Sequence, residues 1–157
     1  MKHIDVLVHP YFTEGNGYSV DPSVTRLKTV RWRGALSELH PRDWLVFVKA
    51  YSGVEKCRAA ELSDELLTYA TGKLGSHVLV YDKWVDEDVK MRLGSPHVDA
   101  IGRIRGYGEL ADICVNRYTG HVRSRLGVYG KDLKKVVMPP ELSVNGYPPY
   151  TLGDVSR

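Results

Sequence analysis

Apolar residues along this chain gather in runs of strand length that are rich in β-branched side chains: Ile4 to Phe12 (IDVLVHPYF), Asp43 to Tyr51 (DWLVFVKAY), Ser76 to Trp84 (SHVLVYDKW) and Lys134 to Leu142 (KKVVMPPEL). Each run is nearly continuous rather than alternating, which predicts strands covered on both faces. A weaker strand, Asp99 to Gly108 (DAIGRIRGYG), is interrupted by Gly102 and Gly106. The stretches between these runs carry helical spacing. Ser23 can cap a helix from Val24 to Leu39. Val54 to Lys73 places Leu62, Leu66, Tyr69 and Ala70 on one stripe, with Gly75 as its stop. Asp86 to Leu93 reads as a short helix capped by acidic residues and ended by Gly94 and Pro96, and Glu109 to Leu126 as a helix ended by Gly127.

Strands and helices thus alternate throughout, so the strands run parallel and the connections cross over right-handed. The expected fold is α/β: a three-layer Rossmann-like or flavodoxin-like domain with a mostly parallel five-stranded sheet and helices on both faces. Residues 1–142 form one such domain. The tail, Ser143 to Arg157, is rich in Gly, Pro and Tyr and has no regular period. It is either a loose end or an arm docked on its own domain or on a neighbour's, the last giving a homo-oligomer through the tail.

Composition narrows the class. The 157 residues are 43% hydrophobic and 26% charged, enough for a core without metal or disulfide staples. No apolar run approaches membrane-spanning length, and the opening residues read as a strand rather than a signal peptide, so a cytoplasmic protein without a membrane partner is expected. Cys57 and Cys114 fall in different helices and form no CxxC pair. The six histidines show no metal-ligand spacing. The net charge of +3 is mildly basic, with clusters at Arg26 to Arg33 and around Arg117, Arg123, Arg125, Lys131, Lys134 and Lys135. Nucleic acid is left open but not signalled, since solvated helix faces explain such clusters better.

In an open parallel sheet, ligands sit beyond the carboxyl ends of the strands, where the strand order reverses. For an order of 3-2-1-4-5, that crevice is lined by His9, Tyr11 and Phe12 on one side and by Arg105, Tyr107 and Glu109 on the other. Lys49, Tyr51 and Ser52 end the second strand, and Asp82 and Lys83 the third. Tyr107 and Glu109 have the least structural reason to be there, so they are expected to bind a small-molecule ligand. No P-loop is present. GYGELA carries two glycines of GxGxxG with Ala111 third, but lacks the acidic residue that a dinucleotide needs further on, so no cofactor is expected. The acidic pairs Glu55/Glu61 and Asp86/Asp88 would suit a Mg²⁺-dependent nuclease only if they converged on one ion.

The segment GELADICV resembles the nucleophile region of the isochorismatase-like cysteine hydrolases, in which a strand ends in glycine and Cys-Val opens the next helix. Gly108, Asp112, Cys114 and Val115 stand in that register. The resemblance implies that Cys114 attacks a carbonyl or activated carbon, with Lys83 orienting the thiol or lowering its pKa. His9 stands where that family carries a catalytic aspartate, Asp5 lies at the wrong end of the strand, and Thr119 and Gly127 fall one residue late. Cys114 also shares a helical stripe with Leu110, Tyr118 and Val122, the placement of a core cysteine. VHPYFTEG and VEKCRAAEL are similar to segments of nucleoside deoxyribosyltransferase-like domains, a likeness that implies a Glu61 nucleophile and substrate held by Tyr11 and Phe12. Alongside a hydrolase stands a non-catalytic module that binds a nucleotide or a protein.

Overall fold

The computed structural model describes residues 2–11, 22–49, 58–82, 85, 87–94, 101–108, 114–127 and 132–137. Expectations resting on Phe12, Tyr51, Ser52, Glu55, Cys57, Lys83, Asp86, Glu109, Leu110, Asp112, Lys131 and the 143–157 tail fall outside them. The chain is α/β. Its strands are β1 (Lys2–Val8), β2 (Trp44–Val48), β3 (Val78–Tyr81), β4 (Ile101–Gly108) and β5 (Asp132–Val137). Its helices are α1 (Pro22–Ser37), α2 (Arg58–Leu74), α3 (Val89–Leu93) and α4 (Asn116–Leu126). All strand pairs are parallel, in the order β3-β2-β1-β4-β5. The order therefore reverses between β1 and β4.

Near-continuous apolar strands make sense here because both faces of the sheet are covered. Successive side chains point to opposite faces, so Ile4, Val6 and Val8 join Val46 and Val48 in one core with Val89 and Leu93 of α3 and Tyr118, Val122 and Leu126 of α4. Leu7, Leu45 and Phe47 point the other way, into a second core with Trp32 and Leu36 of α1 and Leu62, Leu66, Ala70 and Leu74 of α2.

Several element ends differ from the sequence expectation for local reasons. β1 stops at Val8 because His9 (φ 46°) and Tyr11 (φ 67°) leave the extended region. Helix α1 begins at Pro22 rather than Val24: proline's fixed φ suits a first helical turn, where its missing N–H costs nothing. Gly127 ends α4 at φ 65°, its N–H reaching the carbonyls of Arg123 and Ser124. At the head of α4, Cys114 and Val115 occupy a π-helical turn.

The paired glycines of RGYG have a packing role. A Cβ on Gly106 would overlap Thr119 Oγ1, and one on Gly108 would overlap the Val8 carbonyl oxygen and lie 2.8 Å from Val115 Cγ2. Both positions let α4 settle directly on the strand. Gly108→Ala is therefore expected to destabilise the protein by about 1–3 kcal/mol, since backbone must shift to admit the methyl group. Gly120, with open space around it in α4, is the control: Gly120→Ala should be stabilising by up to about 1 kcal/mol through helix propensity. Urea midpoints of the two variants check the contrast.

Candidate functional site

The carboxyl end of β1 turns sharply at the point where the sheet order reverses. His9 is held there by its backbone N–H, which donates to the Val48 carbonyl at 3.0 Å, and its residue is only 2% exposed. Its ring meets Tyr118 edge-on, with centroids 5.2 Å apart at 74°, and Tyr118 in turn meets His121 at 5.9 Å. Burial lowers the His9 pKa to about 4, so the imidazole is neutral at pH 7. It can donate one hydrogen bond and accept another, but it is a weak base. Two residues on, Tyr11 is buried in the α1/α2 core, and its hydroxyl shares a 2.6 Å hydrogen bond with Thr29 Oγ1.

Cys114 lies one helical turn before Tyr118 and packs against the same core as Val8 and Tyr118. Burial raises the thiol's pKa, opposed in part by the charge of Arg117. Of these two influences only the Arg117 charge favours the thiolate, and burial outweighs it.

Other expected ligand residues are spent on the fold. Tyr107 is fully buried among the α1-side core residues, with its ring 5.8 Å from that of Trp32. Burial, and then the charge of Asp5, push its phenol well above the ordinary value. Arg105 is drawn onto the same face by Asp5, its register partner on β1. Arg105 Nη2 donates to Asp5 Oδ2 at 2.6 Å and to the Ala35 carbonyl at 3.0 Å, Nε donates to Asp5 Oδ1 at 3.1 Å, and Nη1 donates to Glu38 Oε2 at 2.8 Å. Burial pushes the Asp5 pKa up against the opposing bonds and charge of Arg105. For Arg105 the burial penalty is outweighed by Asp5, which keeps the guanidinium charged. Both residues face α1: Tyr107 lies in its core, and Arg105 reaches the Ala35 carbonyl and Glu38.

Asp82 is exposed at the end of β3, two strands from β1 and so about 10 Å across the sheet from His9. Glu61 is exposed in the first turn of α2, and Asp88 accepts a 2.9 Å hydrogen bond from the Tyr81 hydroxyl. Among the described residues no group of three His, Cys, Asp or Glu side chains could hold a metal ion, and no helix is long and apolar enough to cross a membrane. The interactions that sequence reasoning missed are the Asp5–Arg105 pair and the Tyr118 ring against His9. A carboxylate in the middle of a strand covered on both faces was the available signal for the first, because such a charge requires a partner. No known protein family, curated protein or solved structure matches the chain.

Proposed function

We propose that the protein is a small-molecule-binding domain of the three-layer Rossmann-like kind, with its ligand in the crevice beyond the carboxyl ends of β1 and β4, against His9 and the head of α4. The observation that carries this reading is the backbone of His9 and Tyr11, two non-glycine residues with positive φ, two positions apart, just past the end of β1 at the reversal point. Each such conformation costs about 1–3 kcal/mol, and strain of this kind collects at ligand and catalytic sites. The neutral imidazole of His9 suits an uncharged hydrogen-bonding ligand group, a carbonyl or hydroxyl. A thermal-shift screen of nucleotides and small carbonyl compounds tests the proposal: a ligand should raise the melting temperature of the native protein and fail to do so with His9→Ala.

A hydrolase is the second reading, favoured by Cys114 opening the helix that follows β4 one turn before the ring that meets His9. In it, Cys114 attacks the ligand carbonyl and Lys83 supplies the activation that the resting thiol lacks. Iodoacetamide labelling of a Cys57→Ser protein across pH separates the two. Alkylation of Cys114 is expected to be slow at neutral pH and to rise only in alkaline solution, following its raised pKa. Rapid alkylation near pH 7 would instead mark an activated nucleophile and support the hydrolase.

A further inference from the structure

The α3 and α4 helices pack side by side on one face of the sheet, and the surface they expose is strongly basic. Lys90 and Arg92 of α3 and Arg117 of α4 are exposed, while His121, Arg123 and Arg125 are half-buried on α4. Neither helix contains an acidic residue. Nearby, among the described residues, Asp88 is engaged by the Tyr81 hydroxyl and Glu87 is exposed. Among the described residues no ion pair joins Lys90, Arg117, Arg123 or Arg125 to a carboxylate, and the Nε atoms of Arg123 and Arg125 are buried with no hydrogen-bond partner. Arg92 lies over the Tyr81 ring at 5.0 Å, as Arg33 of α1 does over the Tyr69 ring at 5.1 Å, whereas Lys28 of α1 is wholly buried.

Arg117, His121 and Arg125 recur every four residues, so they form one stripe with about 6 Å between steps. Cations placed this way repel one another. The effect is visible at His121, whose pKa is lowered first by burial and then by the charges of Arg125 and Arg117. Among the described residues this stripe has no counterion, and a polyanion laid along it would offset the repulsion.

We propose that the α3/α4 face docks the phosphate backbone of a nucleic acid. A lipid surface fits less well, because the apolar stripe of α4 that would enter a bilayer (Tyr118, Val122 and Leu126) is already packed in the core. Met91 is the exposed large apolar residue on this face, at 78%. The site is separate from the crevice at His9 and does not depend on the ligand proposed there.

Fluorescence anisotropy of the full chain with labelled single- and double-stranded oligonucleotides of mixed sequence tests the proposal. Affinity should fall linearly with salt on a log–log scale between about 50 and 200 mM. Arg117→Glu/Arg125→Glu should weaken binding about tenfold or more and reduce the salt slope by about two. Arg26→Glu, in the opposite helix layer, should leave binding unchanged. Lys90→Glu/Arg117→Gln changes two fully exposed positions and gives the same reading should the first variant fold poorly. No binding by the native chain, equal binding by these variants, equal loss in Arg26→Glu, or preference for phosphatidylserine vesicles over oligonucleotides would each overturn it.

Discussion

Arg105→Ala is expected to destabilise the protein by about 3–5 kcal/mol, as for other buried ion pairs stripped of one partner. Asp5 is 1% exposed and receives most of its compensation from the Arg105 guanidinium. Without it the carboxylate is left on a packed face beside Tyr107. The variant should then lose stability as pH rises. An unpaired buried carboxyl holds its proton above the pH at which the unfolded chain releases it, so the folded state binds more protons across that window. The defect should therefore be mildest in acid and largest at neutral pH. An apolar replacement of both partners, Asp5→Leu/Arg105→Met, should recover most of the loss. Glu38→Gln should cost no more than about 1 kcal/mol, because Glu38 is 68% exposed and its half of the network is screened by water. Urea midpoints measured at several pH values separate these outcomes.

Lowering the pH from 6.5 to about 4 is expected to remove about 3 kcal/mol of stability through His9 alone. In the unfolded chain His9 takes a proton near its ordinary value of 6.5, whereas in the folded chain it does so only near 4. Between these values the unfolded state binds more protons, so acid favours it. The loss begins below 6.5 and is complete once the folded pKa is passed. His121, also lowered, acts in the same direction, and Asp5, raised, acts in the opposite one. His9→Asn isolates the effect, because asparagine tolerates a left-handed backbone and does not titrate. The difference in stability between native protein and variant should shrink toward acid pH by the stated amount.

Strand and helix alternation was legible in the sequence because burial on both faces leaves the apolar runs unbroken, as in Trp44–Val48. Helix stops were legible as well: Gly75, Gly94 and Gly127 all have positive φ where the helices end. The site was harder to read. His9 stood at the right strand end, but its strained backbone leaves no trace in residue identity, since histidine is not a turn residue by habit. That Tyr107 and Arg105 face α1 was not legible, because a polar or aromatic residue near the end of a strand looks the same whether it faces a ligand or a helix. Facing is decided by parity along the strand: Gly106 and Gly108 point toward α4, which puts Arg105 and Tyr107 toward α1. The spacing of the two glycines carried that information, but it was compared only with GxGxxG and set aside there. Cys114 packs against the α3/α4-side core from the π-helical turn that precedes α4. Its raised pKa comes from burial by residues distant in sequence, which no local pattern displays.

The central claim is that a small molecule binds where the sheet order reverses. The most direct measurement is amide chemical-shift mapping of ¹⁵N-labelled protein titrated with whichever compound raises its melting temperature. The proposed site predicts saturable shifts centred on His9, Tyr11, Gly108, Cys114 and Val115. Shifts centred instead on the opposite edge of the sheet, at His3, Asp43 and His77, would contradict it.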